Sequence, residues 1–209
     1  MNIIVLDLEW NQNALGRKGR DSDKPIFEII EIGAVKLNED YEITDKFSQL
    51  IKPQIYHTMH KITADLIHLQ MNELKKGKDF STVMKEFLEW CGKDYIFATW
   101  GPLDLLELQR NMVYYELEPL SDCPIKFYDV QKLFSLGIMK DKTRKTLEFA
   151  IDYFNIEKDI PFHRAYSDAY YTAKVLKKIA NPDLLQFISF DTFHIPKTRK
   201  EEIKILFPG

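Results

Sequence analysis

A chain of 209 residues, 45% of them hydrophobic and 13% aromatic, suits one compact domain with a sizeable core and excludes a disordered polypeptide. A net charge of −3 argues against coating nucleic acid through bulk electrostatics but leaves room for an enzyme that grips a strand end; local basic runs such as Lys140, Lys142, Arg144 and Lys145 read as ordinary solvated faces. No apolar stretch approaches the ~20 residues of a membrane span, the opening lacks a signal-peptide pattern, and Cys91 and Cys123 build neither a disulfide framework nor a zinc site, so a soluble cytoplasmic protein whose metal would sit on oxygen is expected.

The opening NIIVLDL is a short apolar run rich in β-branched residues, the pattern of a strand buried on both faces of a sheet, and it ends at acidic residues. The polar segment from Asn11 to Lys24, with Gly16 and Gly19, reads as a loop before Pro25. Strand patterns from Phe27 to Leu37 and from Tyr41 to Ile51 flank a tight connection at Asn38, Glu39 and Asp40, which makes an antiparallel meander. After Pro53 the spacing becomes helical, with Phe80, Val83, Met84, Phe87, Leu88 and Cys91 on one stripe, Ser81 as the candidate cap and Gly92 as the stop. Asp94 to Thr99 is a second core strand that turns at Trp100, Gly101 and Pro102, and a helix from Leu103 to Leu117 follows. Ile125 to Tyr128 enters a helix near Asp129, Thr146 to Phe154 is a further amphipathic helix, and the last runs from Ala165 to Ala180, stopped by Asn181 and Pro182. Three early strands followed by strands alternating with helices predict an α/β fold, a mixed sheet with helices on its faces. Residues 1–180 read as one domain, and residues 181–209 as a C-terminal extension packed on it.

Asp7 and Glu9 stand two apart at the end of the first strand, and strand side chains repeat every two residues, so both carboxylates project from one face. Crowded anions repel unless a cation neutralises them, so the arrangement asks for a hard divalent ion on oxygen ligands. Asp40 and Glu42 share that spacing in a turn where water solvates them, and spacing alone therefore proves little. Asp104 follows the turn after the second core strand. By itself it reads as a helix-start aspartate, yet strand ends on one sheet edge are the usual place for sites in open α/β sheets. His163 and Asp168 would stand about 140° apart on a regular helix, so the histidine must precede the helix and Asp168 lies near its first turn. Pro161 supports an extended or turning chain at that point. His60 and Asp65 repeat the spacing with no acidic pair nearby.

Taken in order, Asp7-Leu8-Glu9, Trp100-Gly101-Pro102-Leu103-Asp104 and His163-Arg164-Ala165-Tyr166-Ser167-Asp168 resemble the three exonuclease motifs of the DEDDh family, part of the DnaQ-like superfamily with a ribonuclease H-like fold. The resemblance covers residues 1 to about 180, and Phe27 to Val35 (FEIIEIGAV) is similar to the family's second strand. The form of the second and third motifs is similar to the enhanced-RNAi exonuclease subgroup, and His60 to Thr63 (HKIT) resembles a segment near the substrate cleft of relatives. Two residues after Glu9, where relatives often carry Thr, this chain has Asn11.

The resemblance implies a metal-dependent 3′-to-5′ exonuclease that releases nucleoside 5′-monophosphates from RNA or single-stranded DNA 3′ ends. It implies two Mg²⁺ or Mn²⁺ ions, with Asp7 bridging them, Glu9 and Asp168 completing one site, Asp104 supporting the other, and His163 as general base. Leu8, Trp10, His60, Ile62 and Trp100 are the candidate substrate contacts; for the two tryptophans core packing is the commoner role. The alternative is a catalytically weak protein of the same fold that binds 3′ ends and has a regulatory role. An intact set of carboxylates and imidazole speaks against it, since mutually repelling groups have no reason to stay together without chemistry. No membrane and no particular protein partner is implied.

Overall fold

The computed structural model describes residues 1–13, 24–121 and 124–194. The chain opens with three strands, β1 (Asn2–Gln12), β2 (Phe27–Leu37) and β3 (Ile43–Leu50). Helices α1 (Lys61–Ile67), α2 (Met71–Leu74) and α3 (Phe80–Cys91) lead to β4 (Tyr95–Thr99), α4 (Leu103–Tyr114) and β5 (Lys126–Asp129). Next comes α5 (Val130–Lys132), which runs on into a π-helical stretch (Leu133–Ile138). Helices α6 (Leu147–Tyr153), α7 (Ala165–Ile179) and α8 (Pro182–Leu185) precede β6 (Ser189–Phe190).

The sheet order is β3-β2-β1-β4-β5-β6. β1, β2 and β3 form the expected antiparallel meander, β4 and β5 run parallel to β1, and β6 closes the edge antiparallel to β5. Along β1 the side chains alternate between two cores, as the period of a strand requires. Ile4, Leu6 and Leu8 pack with Val83 and Phe87 of α3 and with Leu105, Leu108 and Met112 of α4. Ile3 and Val5 face the other way, toward Tyr171, Val175 and Leu176 of α7. Asp7 and Glu9 continue that second file, so the alternation that builds the core also delivers both acids to the α7 side.

Gly33 stands opposite Asp7 in the β1–β2 ladder. A Cβ there would lie 2.0 Å from the carbonyl carbon of Ala165 and 2.0 Å from the nitrogen of Tyr166, so the missing side chain is what admits the start of α7. Past Glu9 the register shifts: Glu9 pairs with Glu31 but Trp10 with Ile29, a bulge that leaves Ile30 without a partner on β1 and re-aims the strand end. Asn111 of α4 bonds the backbone of β2 beside it, accepting from Ile29 N at 3.2 Å and donating to the Phe27 carbonyl at 2.9 Å.

Several details differ from the sequence prediction. Asp79, not Ser81, caps α3, accepting the Thr82 N–H at 2.9 Å; its extended backbone suits the cap, whereas Ser81 already lies in the first helical turn. Helix α4 stops at Tyr114, before the predicted Leu117, because Glu116 adopts a left-handed φ of +56°. Asn181 does more than end α7: its Oδ1 accepts Leu184 N at 2.9 Å and caps α8. Helices α1 and α2, the π-helical stretch and β6 are all too short for a periodicity to announce them. As far as residue 194, the extension packs on the sheet through β6, and Asp191 accepts Ile125 N at 2.9 Å. The predicted loop glycines Gly16 and Gly19, Cys123 and residues 195–209 lie outside the described residues. Among the described residues, no helix is long and apolar enough to cross a membrane. Among the described basic side chains, Lys145 pairs with Asp141, Lys174 with Asp159 and Arg144 with Asp129.

Candidate active site

Asp7 and Glu9 meet Asp168, which sits in the first turn of α7, and one carboxylate oxygen from each lies within 4.8 Å of the others. Asp104 approaches from α4. Strand β4 pairs with β1 only as far as Val5 opposite Ala98, so beyond that point the backbone edge of β1 is free for another acceptor. Asp104 Oδ1 takes it, accepting Leu8 N–H at 3.2 Å. The turn that delivers Asp104 depends on Gly101, whose φ of +99° an L side chain rarely adopts.

His163 is exposed, in the bend just before α7, with a left-handed φ of +62°. Its backbone N–H donates to Asp168 Oδ1 at 3.3 Å. The histidine therefore does precede the helix, and backbone rather than imidazole makes its bond to the aspartate. The decoys stay apart: Asp40 is exposed, and Glu42 pairs with Lys177.

Two residues that the sequence reading did not single out belong to this cluster. Glu31, opposite Glu9 on β2, is 1% exposed, and Arg164 at the N-terminal boundary of α7 grips it with Nε and Nη2, each at 2.9 Å. This two-pronged ion pair joins the second strand to the third motif across 133 residues of chain. The only available signal was that an acid inside an apolar strand needs a buried partner.

The acids raise one another's proton affinity. Burial pushes the Glu9 carboxyl from 4.5 up to about 8, reinforced by Asp168, Glu31 and Asp104 and opposed by Arg164. Asp7 is raised well above its usual value by burial, then by Asp104, Glu9, Asp168 and Glu31. Burial lifts Asp104 to about 7 against the backbone N–H groups of Asp104 and Leu8. Asp168 is raised by burial and held back by His163. Four carboxyls that resist ionising together in a partly buried site are a set that a hard cation would relieve.

The candidate substrate contacts are placed unequally. The Leu8 side chain is 3% exposed and belongs to the core, and its N–H is taken by Asp104. Trp10 is partly buried against Phe27, ring centroids 5.2 Å apart, and Trp100 against Phe134 at 6.2 Å. Ile62 is 59% exposed at the start of α1, and His60 caps that helix. Thr63 Oγ1 donates to the Trp10 carbonyl at 3.2 Å, which ties this segment to the residue after Glu9.

A mixed sheet that brings acidic side chains from β1, α4 and α7 to one place is the architecture of ribonuclease H-like exonucleases. Residues 4–176 match the family model described as Exonuclease (RNase_T), and the chain belongs to that family of nucleases. Among curated proteins, the DNA polymerase III PolC-type of Oceanobacillus iheyensis is 26% identical over 151 residues, 72% of this chain. The chain spans only 10% of that protein's length. A full-length 3′-exonuclease structure superposes with a TM-score of 0.72 at 17% identity, covering 93% of this chain and 92% of that one. The nuclease domain of 3′hExo, a DEDDh family member bound to rAMP, gives 0.71 at 19% identity, covering 92% and 97%. Pop2p of S. pombe, in a form with Mg²⁺ and Mn²⁺ bound, gives 0.64 at 17% identity, covering 85% and 82%. These likenesses show that the chain has the fold of 3′-exonucleases, a DEDDh family member among them. The enhanced-RNAi subgroup remains a resemblance of motif form, since identity this low speaks for the fold alone.

Proposed function

We propose that the protein is a metal-dependent 3′-to-5′ exonuclease that shortens RNA or single-stranded DNA and releases nucleoside 5′-monophosphates. The observation that carries this reading is the convergence of Asp7, Glu9 and Asp168 within 4.8 Å, with Asp104 fixed against the same strand end. The donor set fits hard divalent ions: every candidate ligand atom is a carboxylate oxygen, and the proton affinities are raised first by burial and then by the neighbouring like charges. Asp7 would be shared between two ions, Mg²⁺ or Mn²⁺, with Glu9 and Asp168 on one and Asp104 on the other. When bound, such ions would supply Lewis-acid activation of water and charge neutralisation at the scissile phosphate.

His163 acts as the general base. Its place on an exposed bend lets the imidazole reach the hydrolytic water through a ring nitrogen once a substrate is seated, while its backbone stays tied to Asp168. The Arg164–Glu31 pair holds the neighbouring backbone and keeps one acid neutralised within the cluster. The 3′hExo domain bound to rAMP and Pop2p in its Mg²⁺- and Mn²⁺-bound form support a nucleotide and divalent ions as ligands of proteins with this fold. Residues 1–180 serve as the nuclease domain and 181–209 as an extension of it, a reading that α8 and β6 support as far as residue 194.

The test is digestion of matched RNA and DNA oligonucleotides, labelled at the 5′ end, with Mg²⁺, Mn²⁺ or EDTA. A ladder of progressively shorter labelled products that EDTA abolishes is expected. Intact oligonucleotide under every metal condition, with binding retained, would instead favour a 3′-end binding protein.

A further inference from the structure

Past Glu9, the end of β1 is committed to holding one neighbouring segment. Asn11 is fully buried, and its side chain is spent on that backbone: Nδ2 donates to the carbonyls of Tyr56 at 3.1 Å and Thr58 at 3.0 Å, and Oδ1 accepts His60 N–H at 2.9 Å. Glu28 of β2, 1% exposed, grips the start of the same segment. Its carboxylate accepts the N–H groups of Gln54, Ile55 and Tyr56, the last two at 2.8 Å. A Thr in place of Asn11 has one side-chain oxygen and cannot make the same three bonds.

These bonds end at a defined imidazole. His60 Nδ1 accepts the Ile62 N–H at 3.3 Å as the cap of α1, and Gln12 Nε2 lies 3.2 Å from the same nitrogen. A ring nitrogen that accepts from a backbone N–H carries no hydrogen, so the neutral ring bears its proton on Nε2. The side chain of Ile62, whose backbone N–H the ring accepts, is exposed, as is that of Leu66 one turn further along α1. A fixed N–H donor next to an apolar surface matches a nucleotide, which offers phosphate and sugar oxygens together with an apolar base face.

We propose that Asn11, Gln12 and Glu28 are positioning residues that set His60 and Ile62 as the wall receiving the terminal nucleotide beside the carboxylates. This rests on the nuclease reading above. It assigns Asn11 an inward, backbone-holding role instead of direct contact with the nucleotide.

The test is steady-state kinetics on a labelled single-stranded oligonucleotide for wild type, Asn11→Ala and Gln12→Ala, with Mn²⁺ affinity measured by calorimetry on the same proteins. Asn11→Ala should raise KM about tenfold and Gln12→Ala about threefold, with kcat within about twofold and Mn²⁺ affinity unchanged. An unchanged KM in both variants, while wild type cleaves, overturns this inference alone. So does a fall in kcat that tracks lost Mn²⁺ affinity. If Asn11→Ala fails to fold, Gln12→Ala decides by the same criteria, since its side chain is only partly buried. A wild type that never shortens the oligonucleotide overturns both the nuclease reading and this one.

Discussion

Replacing Glu9 with Gln in the metal-free protein should stabilise it, and the gain should depend on pH. The folded carboxyl sits at about 8, against 4.5 for the ordinary group. Below the lower value the group is protonated in folded and unfolded chains alike, so it contributes no difference. Between the two values the unfolded chain has released a proton that the folded chain keeps, so stability falls as pH rises, and above the upper value the whole penalty is present. At about 1.4 kcal/mol per tenfold change in proton affinity, that penalty is roughly 5 kcal/mol. Asp7, Asp104 and Asp168 share protons with Glu9, so a single neutral Gln should return only about 1–2 kcal/mol. For a chain of this length that is a rise of about 3–6 °C in Tm. Thermal unfolding in EDTA at about pH 4 and about pH 8 makes the comparison, with the variant and wild type close together at the lower pH and separated at the higher. Added Mn²⁺ should then stabilise wild type more than the variant. A Glu9→Gln protein that melts below wild type in EDTA at the higher pH would refute the electrostatic reasoning.

Other substitutions probe the supports of the site. Gly33→Ala would press a methyl into the backbone of Ala165 and Tyr166, which has no flexible side chain to yield; a loss of about 3 kcal/mol in urea unfolding is expected, and an unchanged midpoint would contradict the close approach. Arg164→Ala strands the buried Glu31 carboxylate and should cost about 3–5 kcal/mol, whereas Arg164→Ala combined with Glu31→Gln should recover much of that; chemical denaturation of both reads the difference. Asp7→Asn should abolish metal-dependent cleavage, while His163→Ala should slow turnover about 10²–10⁴-fold and leave Mn²⁺ affinity nearly intact, as single-turnover assays and calorimetry would report.

Periodicity made most of the frame legible. The run NIIVLDL, the stripe from Phe80 to Cys91 and the long helix ending near Ala180 each repeat their pattern often enough to declare an element. The bulge after Glu9 was not legible, because one extra residue on β2 leaves each strand's own alternation looking ordinary. The cap of α3 was ambiguous because Asp79, Ser81 and Thr82 are all polar and only backbone geometry chooses among them. Near the carboxylates, the shared face of Asp7 and Glu9 followed from strand geometry, whereas the approach of Asp104 and Asp168 was suggested by motif resemblance and by the order of elements. Glu31 with Arg164, and Asn11 with residues 56–60, are pairings between distant stretches of chain, and no local pattern encodes them. Asn11, which the sequence marked only as a departure from the Thr that relatives often carry, is a buried clamp on the backbone.

The most direct measurement is an anomalous difference map from crystals soaked in Mn²⁺. Peaks coordinated by Asp7, Glu9 and Asp168, with Asp104 reaching a second ion directly or through water, are the predicted result. A map with no peak among these carboxylates, at Mn²⁺ concentrations that sustain cleavage in solution, would contradict the account.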